Sequence, residues 1–221
     1  MVTPLSGILL CTLAAPVTYE LDPKATELLA FTQPEGLKTA AHPHVLQAQQ
    51  IKGTVVYDDE HPEKSSVRVG FPTDWLVNDD AALRKREHLE PMSDSQRASV
   101  AANMRGEDQL DPKRFANIDF ESTAVKKLDD GRLQLTGTLG IRGVRKQLTL
   151  PVSVSVKDGV LRGEGSTSIK HSDFNFLPYT AALGLIRNAD EITLRLLLVG
   201  RPKAPPAPDS PARDAGPAPG G

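Results

Sequence analysis

The sequence has a single cysteine, Cys11, among 221 residues. One thiol excludes an intramolecular disulfide and any metal cluster built on cysteine. No surplus of positive charge is present, with 26 Lys and Arg against 28 Asp and Glu and a net charge of −2. That balance argues against nucleic acid as the main partner, because phosphate binding draws on a basic surplus. Aromatic residues are sparse at 5%, although an apolar fraction of 39% is enough for a core. There is no internal repeat, no phosphate-binding glycine loop and no G-x-S-x-G nucleophile motif. His171, Ser172 and Asp173 are consecutive, so they cannot converge as base, nucleophile and orienter. His42 and His44 share one side of a strand, but no third ligand is spaced to complete a zinc site. The expectation is a protein that is not an enzyme and carries no metal.

What is present is alternation. Between Phe115 and Val156, three segments (Ala116 to Val125, Leu133 to Ile141, Leu148 to Val156) set apolar residues against polar ones with a period of two. Leu133, Leu135, Leu139 and Ile141 oppose Gln134, Thr136 and Thr138. A strict period of two means antiparallel strands with one dry and one wet face. Asp130-Gly131 predicts the first reversal, and Gly143 the second. The result is a three-strand meander.

The phrase LTGTLGIRGVRKQLTLPV (Leu135 to Val152), preceded by LDPKRFANIDFES (Leu110 to Ser122), resembles the YceI-like family of lipid-binding domains. Positions that carry the resemblance include Phe115, Ile118, Phe120, Ser122, Gly137, Gly143, Val144, Lys146 and Leu150. YELDP near the start, IKGTVVYD (Ile51 to Asp58) and IKHSDFNF (Ile169 to Phe176, with Lys170 in place of an Arg) extend it over roughly residues 17 to 200. The resemblance implies a lipocalin-like barrel, in some members closed around a long isoprenoid chain, and a bacterial protein.

Elsewhere the chain reads as follows. Residues 1 to 16 are uncharged, and Leu5 to Val17 is a mostly apolar run too short for a membrane span. A degenerate export signal, a disordered start and an added edge strand all remain open, with a periplasmic or secreted location favoured over a cytoplasmic one. Further strands are expected around Tyr19 to Leu21, Leu28 to Phe31 (broken by Pro34 and Gly36), His44 to Tyr57 and Val67 to Phe71. Two more are expected at Leu161 to Ile169, after an Asp158-Gly159 turn, and at Ile192 to Leu198. Thr180 to Ala189 reads as a loop or irregular helix. Ser93-x-x-Gln96 is a capping-box signal for one helix from about Asp94 to Met104, with Val100 and Met104 inward. The basic run Arg84-Lys85-Arg86 is either a solvated surface or a contact for anionic lipid head groups. From Arg201 to Gly221 the composition is that of a disordered Pro/Ala/Gly tail. About eight strands and one short helix describe an all-β antiparallel barrel wide enough for one small ligand.

Gly53, Gly137, Gly163 and Gly165 fall on the apolar parity of their strands, either leaving room for a ligand or easing the barrel's bends. The expected function is non-catalytic carriage of an isoprenoid-type lipid, a quinone tail or polyprenyl chain, with no cofactor beyond that lipid. A filled barrel serving as an interaction or stress-response module is the alternative. The lipid is expected to touch Val55, Phe71, Trp75, Phe120, Leu135, Gly137, Leu150, Phe174, Phe176 and Leu194. Transient membrane-surface contact and a homodimer are the other associations expected.

Overall fold

Strands with one dry face bury it most fully by closing on themselves, and the computed structural model shows such a closure. It describes residues 15–36, 42–181, 183 and 186–203. The strands are β1 (Val17–Leu21), β2 (Glu27–Gly36), β3 (His44–Ala48), β4 (Lys52–Tyr57), β5 (Ser66–Pro72) and β6 (Leu76–Asn78), followed by helices α1 (Ala81–Arg86) and α2 (Asp94–Met104). Then come β7 (Asn117–Lys127), β8 (Leu133–Ile141), β9 (Val144–Lys157), β10 (Val160–Lys170), β11 (Thr180–Ala181) and β12 (Ile186–Pro202). Hydrogen-bonded neighbours run β1-β4-β5-β7-β8-β9-β10-β12, and β12 returns to β1 through Leu21↔Gly200, Glu20↔Arg201 and Tyr19↔Pro202. The ring is a closed antiparallel barrel of eight strands, which leaves no edge along that path.

β2, β3 and β6 continue the first three members of the ring beyond a shared crease. The chain breaks at residues 22–26, 49–51 and 73–75, at adjacent levels, since Leu29 pairs with Gln47 and Ala48 with Leu76. Gln50 takes a positive φ of 55° there, and Gln49 N–H donates to the Trp75 carbonyl across the break. Such irregularities let strands turn the sharp corner of a small barrel. The expected long strand from His44 to Tyr57 is thus two strands with a corner between them. Pro34 does not end β2, because it lies past the last rung to β3, Thr32↔His44.

The meander forms over the expected segments, with a β-bulge between Ser122 and Ala124 that leaves Ala124 exposed and buries Val125, and two of its turns use paired positive φ values. Arg142 (50°) with Gly143 (72°) joins β8 to β9, and Asp158 (51°) with Gly159 (74°) joins β9 to β10. These are the backbone signs a two-residue hairpin needs. Arg142 then reaches over the rings of Phe115 and Phe176 and donates to the carbonyls of Glu107 and Asp108. One turn therefore ties residues 105–116 across the end of the barrel, next to α2. The capping box is in place, with Ser93 Oγ accepting from Gln96 N–H and Gln96 Oε1 from Ser93 N–H.

Three further expectations need correction. Thr180 to Ala189 is neither loop nor helix throughout, because Thr180 and Ala181 pair with Arg187 and Ile186. α1 is a second short helix, begun by Asp80, whose side chain accepts from Leu83 N–H. It covers the outer face of β2 and β3, where Leu29, Val45 and Leu83 form a separate buried cluster. Finally, the boundary expected at Gly200 falls inside the closing strand, for Arg201 and Pro202 complete the β1 ladder and Lys203 N–H donates to the Thr18 carbonyl. Residues 1–14 and 204–221, with most of the expected export signal and tail, lie outside the described residues. Truncation after Lys203 is expected to leave the melting temperature within about 2 °C of the full chain. Truncation after Gly200 removes rungs of the closing ladder and should lower it by several times that. Thermal melts of the two truncations check both outcomes.

Candidate functional site: an apolar cavity inside the barrel

The inward faces do not meet. They enclose a cavity of about 310 Å³, in the range of small-ligand pockets, which run from about 300 to 1,000 Å³. Its wall is almost wholly aliphatic and aromatic. At the hairpin end it is formed by Val125, Leu133, Leu135, Leu150 and Val152, and at the α2 end by Val100, Met104, Leu110, Ile118 and Phe176. The charged residues that touch the lining are turned outward: Asp119 pairs with Arg145, and Arg195 pairs with Glu87 and stacks on Phe31.

Of the residues expected around the ligand, Val55, Phe71, Phe120, Leu135, Leu150, Phe176 and Leu194 line this space. Three do not. Trp75 sits in the crease between β5 and β6 and is 45% exposed. Phe174, at 1% exposure, packs in the core beside the cavity without reaching it. Gly137 points inward, but a Cβ there would lie 2.3 Å from Phe120 Cζ, so the ring fills the space the glycine leaves. A large ring folded over a glycine shields its backbone and pins the register.

The four inward glycines separate on the same measure. At Gly53 a Cβ would meet the Arg68 carbonyl oxygen at 2.3 Å, and at Gly165 the Pro151 oxygen at 2.8 Å, so both serve close backbone approach. At Gly163 the nearest atom is Leu198 Cβ at 3.9 Å, and this glycine lines the cavity. Only Gly163 of the four leaves open volume.

Two polar features escaped the sequence. Asp79 is fully buried, with Oδ2 2.9 Å from His44 Nδ1, Oδ1 accepting from Val45 N–H, and Arg84 ion-paired to it. Burial pushes the Asp79 carboxyl up, but hydrogen bonds from His44, Val45 and Arg84 outweigh it and hold the group below its usual range. Arg84 is 1% exposed and also donates to the carbonyls of Pro43 and Glu90. The solvated surface expected for the basic run therefore excludes Arg84, while Arg86 is committed to Glu27 and Glu87. A signal for this cover was available: Leu28-Leu29-Ala30-Phe31 is apolar on both parities, which requires something packed on each face of the strand.

His171, on the cavity wall at the α2 end, sets Nδ1 2.8 Å from the Asp190 carbonyl oxygen and its ring edge against Phe176. Burial holds its pKa below the ordinary 6.5. The unfolded chain binds that proton more readily, so the group's contribution to stability is complete above 6.5 and lost as pH falls through it. The melting temperature is expected to fall as pH drops below the ordinary 6.5, and to fall less in His171→Gln. An equal fall in the variant would assign the acid sensitivity elsewhere.

A closed antiparallel barrel around an apolar cavity defines the lipocalin-like class of folds. The chain belongs to the YceI-like domain family, whose pattern covers residues 19–199. It is 29% identical over 129 residues to a UPF0312 protein of Yersinia pestis (strain Pestoides F), a match covering 56% of this chain and spanning 58% of that relative's length. Its fold is similar to the crystal structure of Burkholderia cenocepacia BcnA, with TM-score 0.62, 20% identity, and 81% of this chain and 98% of that one covered. It is also similar to a polyisoprenoid binding domain from Saccharophagus degradans, with TM-score 0.56, 10% identity, and coverage of 85% and 99%.

Proposed function

We propose that the barrel carries a long apolar lipid of the isoprenoid type, held by burial and without catalysis. One observation carries this reading: a cavity of about 310 Å³ walled mainly by aliphatic and aromatic side chains. The structural similarity to a domain named for polyisoprenoid binding supports the same class of ligand. Each buried methylene contributes about 0.8 kcal/mol, or roughly 4 kcal/mol for a five-carbon prenyl unit. A few such units offset an association cost of about 4–15 kcal/mol. Mass spectrometry of organic extracts of the protein purified from its own host is expected to show a prenyl lipid at near-stoichiometric amounts. A protein that carries none, and takes up none supplied in detergent, is the filled-barrel interaction module instead.

A further inference from the structure

The cavity is not uniform along its length. At the hairpin end the polar side chains in the wall are satisfied: Tyr57 donates to Asp59, and Ser65 Oγ accepts from Asp58 N–H. The α2 end differs. Thr32 and His44 face each other across the β2–β3 ladder, and both line the cavity. Asn188 joins them from the start of β12, where it pairs with Pro34, two positions past Thr32 and across the β-bulge that separates Asn188 from Ile192. Thr32 is 5% exposed, and its Oγ1 has no hydrogen-bond partner among the described residues. A buried hydroxyl left unpaired is costly, unless a partner arrives from outside the chain.

His44 is prepared for a partner in the same place. Its Nδ1 is engaged by Asp79, whose charge is already matched by Arg84, and its Nε2 makes no hydrogen bond among the described residues. A carboxylate on one ring nitrogen fixes the ring's orientation and tautomer, and leaves the other nitrogen for a ligand. Thr32 offers a donor and an acceptor, Nε2 an acceptor, and Asn188 an amide with both. Among the described residues, Arg195 is the one Lys or Arg that touches the cavity lining, and it is turned out onto Glu87. Arg84, which shares Asp79 with His44, is bound to that carboxylate, so neither arginine is directed at a diphosphate beside Thr32 and His44.

Building on the carrier function proposed above, we infer that Thr32, His44 and Asn188 form a head-group subsite at the α2 end. The subsite takes a neutral oxygen, a hydroxyl or ring carbonyl, while the prenyl tail runs toward the hairpin end. Asp79 is the residue that positions His44.

The test titrates the full chain with geranylgeraniol, the quinone bearing the same tail, geranylgeranyl diphosphate and the head-free hydrocarbon. The alcohol or the quinone should bind at least about tenfold tighter than either the hydrocarbon or the diphosphate, and whichever of the two binds more tightly identifies the head group. Thr32→Val keeps the shape and removes the hydroxyl. It should weaken the preferred ligand about fivefold to tenfold, leave hydrocarbon binding unchanged, and leave the ligand-free melting temperature equal or higher. His44→Asn should weaken the same ligand; if it fails to fold, Thr32→Val decides alone. Unchanged affinity in Thr32→Val, or a diphosphate that binds tightest, overturns the subsite while the carrier function stands. Failure of all four ligands to bind overturns both.

Discussion

Gly137→Leu is expected to destabilise the barrel severely, whereas Gly163→Leu is expected to fold and lose its lipid. The two glycines share the inward parity of their strands, but their neighbours differ. A Cβ at Gly137 lands 2.3 Å from Phe120 Cζ and 2.5 Å from the Glu121 carbonyl oxygen, so a backbone atom as well as a ring must move. Overpacking of this kind costs about 1–3 kcal/mol, and more where backbone shifts. In a domain of this size each kcal/mol lowers the melting temperature by about 2–4 °C, so a fall of about 10 °C is expected. At Gly163 the first neighbour is 3.9 Å away, and a leucine side chain extends into the volume assigned to the ligand. Melting temperature and extracted lipid, measured on both variants, separate the two effects. A Gly163→Leu protein with a full complement of lipid would show that the chain does not pass this point.

The second large effect is expected at Asp79. Asp79→Leu leaves the Arg84 guanidinium, 1% exposed, with no counter-charge, and Arg84→Met leaves the Asp79 carboxylate with His44 and two neutral donors, Val45 N–H and Asn78 Nδ2, but without its arginine. Breaking a buried pair by removing one partner costs about 3–5 kcal/mol, here about 6–20 °C in melting temperature. Replacing both together should recover much of the loss, because the uncompensated charge disappears with its partner. Since the folded carboxyl is held below its ordinary 3.8, its contribution is present above that value and disappears as pH falls beneath it. Single variants that melt within about 2 °C of wild type would show that the network does not fasten α1 to the barrel.

The period-two alternation, the Asp-Gly and Arg-Gly turns and the capping box each act over a few residues, and each formed where the sequence indicated. Strand parity also placed six of the ten expected contact residues on the cavity wall, and the aromatic cluster placed a seventh, Phe176. It failed at Trp75, which lies in an irregular crease without parity, and at Phe174, whose aromatic cluster divides between core and cavity. Parity says which face a residue takes, but not what already occupies that face. The ring of Phe120 over Gly137 is such an occupant.

The sequence by itself thus indicated the all-β class, about eight strands and the inward face of most of them, because these follow from local periodicity and turn chemistry, and it indicated the family through the phrases that resemble it. Only the tertiary structure decided which glycine is empty. It alone decided that Arg84 is buried against Asp79 rather than solvated, and that Thr32 and His44 face each other at one end of the cavity. Asp79 and His44 stand 35 positions apart, and Gly137 and Phe120 stand 17 apart on different strands. Contacts of that kind depend on register and barrel closure, and these emerge only when all the strands are assembled.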